Sequence, residues 1–115
     1  MAVKINPKAL TYARTLVKNG KAIHDEHGAW SMHAPTADQE NDFIEKHGYA
    51  EYAKWHLGVD ESKPEESKGR YSFPFGDFAR VHRCAVIAVE SRAAQNDHAD
   101  IAARAKRLLE LMDRK

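Results

Sequence analysis

Apolar residues recur at helical spacing in two stretches of the chain and surround a third almost completely. Ala9, Leu10, Ala13, Leu16 and Val17 form one stripe, with Lys8, Arg14 and Lys18 off it, which predicts an amphipathic helix. Asn6-Pro7 marks its start, since an Asn side chain can accept from free amides and Pro fits the first helical position, and Gly20 marks its end. Ile101, Ala102, Ala105, Leu108, Leu109 and Met112 form the clearest stripe, begun by the turn and cap Asn96-Asp97 and carrying Arg104, Lys106, Arg107 and Glu110 outside. Between them Val81, Cys84, Ala85 and Ala88 keep helical spacing, but Val86, Ile87 and Val89 make the run apolar all round, as in a buried helix or a short buried strand. The helix is favoured, because Glu90 to Gln95 continue it with good helix formers and no partner strand is evident.

Thr36-Ala37-Asp38-Gln39 has the form of a capping box, which predicts a helix running to about His47. Gly48 interrupts it, Tyr49 to Leu57 resume it as one kinked helix or two, and Gly58 is read as its C-terminal stop. Lys21 to Pro35 lack periodicity and read as a long irregular connection anchored by Trp30. Residues 59–69 are too polar to enter a core and are expected to form a mobile loop. The expected fold is all-α: a compact single domain over residues 1–115, a bundle of about four to five helices with an aromatic Pro/Gly loop packed on its core.

That loop, Lys68 to Phe78, holds Tyr71, Phe73, Phe75 and Phe78 around Pro74 and Gly76. Phe73 and Phe75 lie two apart in an extended stretch, so both are expected on one face, as a wedge locking the last two helices onto the first. The rim, Arg70, Tyr71, Arg80, His82 and Arg83, is then the candidate partner-binding surface. Flat rings among basic groups are also the design of single-strand nucleic-acid binding, which supplies the alternative reading.

Charge narrows the choice. With 18 basic and 17 acidic side chains the formal charge is +1, far from the excess of a dedicated nucleic-acid binder, so any basic surface is local. The single cysteine, Cys84, rules out an internal disulfide framework and fits a reducing compartment. The N-terminus lacks the apolar core of a secretion signal and no apolar run approaches the roughly 20 residues of a membrane span, so a cytoplasmic protein without membrane contact is expected.

Candidate chemistry is sparse. His24, Asp25, Glu26, His27 and His33 collect imidazoles and carboxylates suited to a divalent ion, but their spacing matches no zinc module, and neither metal nor cofactor is expected. Cys84 next but one to His82 suggests a thiol and its base, yet residues two apart on a helix point in different directions. A cysteine among Ala85, Val86 and Ile87 is expected to be buried and inert. No phosphate-cradling glycine loop or nucleophile elbow is present, so no catalytic residue is assigned.

Trp30, the run Tyr52 to Gly58, Lys68 to Gly76, Val81-His82-Arg83 and Ser91 to Gln95 together resemble a family of small bacterial and phage-associated domains. Similar segments with an Arg-Tyr-x-x-Pro stretch before a basic helix start occur as stand-alone proteins of unknown function and near phage head-maturation proteases. The resemblance covers most of the chain after Trp30 and carries over no catalytic residue. It implies an accessory or interaction role. The reading taken from the whole sequence is a non-enzymatic interaction domain of prophage origin, with a protein partner and a monomeric or weakly dimeric state expected.

Overall fold

The computed structural model describes residues 3–25 and 28–113, the side chains of Ser31 and His33 excepted. Its elements in order are β1 (Val3–Ile5), α1 (Pro7–Lys18), β2 (Ala22–Ile23), α2 (Trp30–His33), α3 (Ala37–Ala53), β3 (His56–Asp60), β4 (Tyr71–Pro74), β5 (Val81–His82), α4 (Arg83–Gln95) and α5 (Ala99–Asp113). The all-α expectation is therefore overturned: the fold is α+β. The strands run β1-β3-β4 in one antiparallel sheet, and β2 pairs with β5 in a second, parallel one.

The largest departure falls at residues 54–60. Gly48 adopts φ 84°, kinking α3, which ends at Ala53 where a helix to Leu57 was expected. His56 onward is strand, with Ile5 opposite Gly58 on one side and Ser72 opposite Gly58 on the other. Gly58 is thus a central-strand glycine rather than a helix stop, and a Cβ there would come within 2.7 Å of both Phe73 Cδ2 and Ser72 Oγ. Val59 and Asp60 complete β3, so the polar loop is shorter than residues 59–69. Arg70 Nη1 donates to Lys63 O at 2.7 Å and Tyr71 OH to Glu65 O at 2.8 Å, tying that loop to the start of β4.

Local signals hold elsewhere. Thr36 and Gln39 make the reciprocal capping box, at 3.2 Å and 2.8 Å. Pro7 opens α1, but Asn6 makes no side-chain cap. Its Nδ2 instead donates to Ala53 O and His56 O, fastening α1 to the α3–β3 turn. The apolar run around Val86 is helical in α4, whose Cys84, Ala85, Val86, Val89 and Ala93 are buried, and the α5 stripe buries Ile101, Ala105, Leu108 and Met112 against the same core.

The aromatic segment packs inward, though not as a simple alternation. Phe75 is fully buried and stacks on Trp55 at 5.6 Å. Phe73 takes φ 60°, so the two rings do not follow ideal strand geometry, and Phe73 lies half-buried with its ring edge-on to His98. Gly76 sits where an added Cβ would lie 2.5 Å from both Arg80 O and the Trp55 ring. A backbone carbonyl cannot rotate away, so Gly76→Ala is expected to cost about 1–3 kcal/mol, read as a lowered urea midpoint at unchanged slope.

Candidate functional site

A buried polar cluster is assembled where β2 and β5 run side by side. Their parallel register sets Ile23 against His82, which carries the following Asp25 to the N-terminus of α4. Asp25 Oδ1 accepts from the Cys84 amide at 2.9 Å, and its Oδ2 from His82 Nδ1 at 2.7 Å. A carboxylate here offsets one of the free amides of the first helical turn and lies at the favourable end of the helix dipole. His82 Nε2 donates to Asp77 Oδ2 at 2.8 Å, and Asp77 Oδ1 accepts from the amides of Ala79 and Arg80. The Trp30 ring covers the imidazole at 5.6 Å between centroids.

Both ring nitrogens of His82 face carboxylate oxygens, an arrangement that favours the doubly protonated imidazolium. Burial alone would lower its pKa; Asp77 and Asp25 outweigh that and hold it above the ordinary histidine value. Burial likewise pushes Asp25 up, but the Cys84 amide and His82 bring it down to about 2. For Asp77 the contacts with His82 and the turn amides outweigh burial and lower its pKa.

Cys84 shows one expectation corrected and another upheld. His82 precedes α4 in extended conformation (φ −106°, ψ 124°), so the helical argument that separates it from Cys84 does not apply. Ligating atoms of Asp25, His82 and Cys84 all lie within 4.8 Å of one another. Cys84 is nonetheless buried as expected, and burial, with the neighbouring Asp25 carboxylate, pushes the thiol up to about 12. At neutral pH it is no thiolate nucleophile.

Beside this cluster runs a cleft along α4. One part, about 560 Å³, is lined by Trp30, Ala34, Cys84, Ala88, Ser91 and Arg92 among others. A smaller part, about 250 Å³, lies between Trp30, Ala88, Arg92 and the strand residues Ser72, Phe73 and Pro74. Small side chains at Cys84, Ala88 and Ser91, spaced for one helix face, leave the space, while Trp30 and Phe73 wall it. Arg92 is exposed where the two parts meet and makes no ion pair among the described residues; the Ser72 hydroxyl is buried with no hydrogen-bond partner among them. Met32, on α2 beside Trp30, is 82% exposed.

The predicted rim is spread over different parts of the molecule. Arg70 and Tyr71 line a groove with Lys4, Asn6, Pro7 and Ala53. Arg80 is exposed, His82 is only 3% exposed within the carboxylate cluster, and Arg83 forms a two-pronged pair with Asp113 at 2.8 Å and 3.0 Å. The rings do not form a stacking platform either: Phe75 is buried, and Phe78 stacks on Phe43 at 4.4 Å. In the histidine-rich loop, His24 Nε2 donates to Met112 O at 2.8 Å; His27 and the His33 side chain lie outside the described residues.

Asp25 and Asp77 escape sequence reasoning as partners of His82, since Asp25 lies 57 residues away and no spacing rule links them. Among the described residues no helix is long and apolar enough to cross a membrane. Comparison with protein-family models, curated proteins and solved structures finds no match.

Proposed function

We propose that this chain is a non-enzymatic interaction domain that takes a carboxylate-bearing segment of a partner protein into the cleft along α4. The observation that carries the reading is Arg92, an exposed guanidinium without an acidic partner among the described residues, set between the walls Trp30 and Phe73. Arg among aromatic walls is the composition of interface hot spots, and its planar fork suits a carboxylate. The non-enzymatic part rests on the suppressed Cys84 thiol and on a His82 whose two nitrogens both already donate to carboxylates. A cytoplasmic, prophage-derived accessory role belongs to the same proposal, supported by the resemblance and the unpaired cysteine.

A photoreactive amino acid at position 95, lining the cleft, tests it. The expected result is a discrete crosslinked protein whose yield falls about tenfold in Arg92→Glu and is unchanged in Arg70→Glu. A crosslink indifferent to Arg92→Glu would place binding elsewhere. Oligonucleotide binding that weakens steeply with salt and depends on Arg70 and Arg80 would replace this reading by the nucleic-acid alternative.

A further inference from the structure

The geometry points to a site for a divalent transition-metal ion, which we propose is held by Asp25, His82 and Cys84. The three donors come from the end of the β2 segment, the end of β5 and the first turn of α4, and their ligating atoms already lie within 4.8 Å of one another. Tetrahedral zinc bonds of about 2.0–2.3 Å set neighbouring ligand atoms closer than that, so a modest contraction completes the set. A mixed oxygen, nitrogen and sulfur set suits zinc or cobalt rather than calcium or magnesium.

The surroundings are those of a metal site as well. An imidazole ligand commonly donates its remaining N–H to a carboxylate, which fixes its tautomer and orientation. Asp77 holds His82 Nε2 at 2.8 Å in that role, and is itself fixed by the amides of Ala79 and Arg80. The Cys84 amide keeps Asp25 oriented through Oδ1, and Oδ2 faces His82 Nδ1 at 2.7 Å, so two of the three donors already point at one another. Cys84 also lines the larger part of the cleft, so a fourth coordination position opens towards water there.

The exchange balances without electron transfer. The ion enters between Oδ2 of Asp25, Nδ1 of His82 and Sγ of Cys84, and bonds to all three. The Nδ1–H and S–H protons leave to solvent, while the Nε2–H bond to Asp77 stays. One doubly charged ion replaces two protons, so the charge of the cluster is the same before and after, and a buried position accepts the ion without a new uncompensated charge.

This inference needs no partner protein, although Cys84 also belongs to the wall of the cleft. Its test is titration of the purified, reduced protein with cobalt(II) alone. One ion per chain is expected, with intense tetrahedral absorption and a thiolate-to-cobalt charge-transfer band that zinc(II) displaces. Cys84→Ser, checked by circular dichroism, should abolish the charge-transfer band, and Cys84→Ala serves if the serine variant does not fold. Asp77→Asn should weaken binding about 10–100-fold while keeping the band, and His47→Gln should change nothing. Absence of the charge-transfer band in the wild-type protein would overturn the site, as would a full band in both Cys84 variants.

Discussion

His82→Ala is expected to destabilise the protein by about 3–5 kcal/mol, because it removes the imidazolium that two carboxylates now share. Asp25 bears most of the consequence: its side chain is only 10% exposed, against 32% for Asp77, which solvent can serve. Asp77→Asn should therefore cost clearly less. The loss should depend on pH in a definite way. His82 has a raised pKa, so its contribution is complete below the unfolded value of 6.5 and disappears as pH rises through the higher folded value. Asp25 is depressed from 3.8 to about 2, so its contribution is complete above 3.8 and disappears as pH falls through about 2. The gap between wild type and His82→Ala should thus be widest between pH 3.8 and 6.5 and narrow on both sides. Buried His56, brought down to about 4 by burial, loses stability over much of the same range as pH falls from 6.5, but it does so in both proteins and cancels in the difference. Urea unfolding at several pH values measures this; a gap that does not vary with pH would show that His82 acts by packing alone.

Phe75→Ala should cost a comparable amount, about 3–5 kcal/mol, since it removes a fully buried ring and leaves a void against Trp55. Phe73→Ala should cost less, its ring being half-buried beside His98. The backbone at Phe75 also accepts the His82 amide at 3.0 Å, so the aromatic plug and the carboxylate cluster share one strand connection. A double variant, Phe75→Ala with His82→Ala, should therefore depart from additivity. A Phe75→Ala loss below about 1 kcal/mol in urea unfolding would mean that the core closes over the gap and that the aromatic segment is not a plug.

The apolar stripes of α1 and α5 and the Thr36 capping box were legible because each depends on residues three or four apart that contact one another within a single helix. The burial of Phe75 and of Cys84 followed as well, since an apolar residue among apolar neighbours has few other places to go. The strands were not legible. β1, β2 and β5 have only two or three residues each, too few to show alternation, and they are held by pairing with distant segments. Trp55, His56 and Leu57 read as the end of a helix until Gly48 kinks α3 and two partner strands claim the amides of β3.

The site divides in the same way. That His82 and Cys84 matter could be suspected from their types, but their meeting depends on His82 being extended just before α4, and its carboxylate partners lie 57 and 5 residues away. Helical periodicity is a property of neighbours along the chain, so composition and spacing carry it. The α+β architecture, the charged cluster at α4 and the cleft between Trp30 and Phe73 are products of non-local pairing, whose free energy exists only once distant segments are brought together.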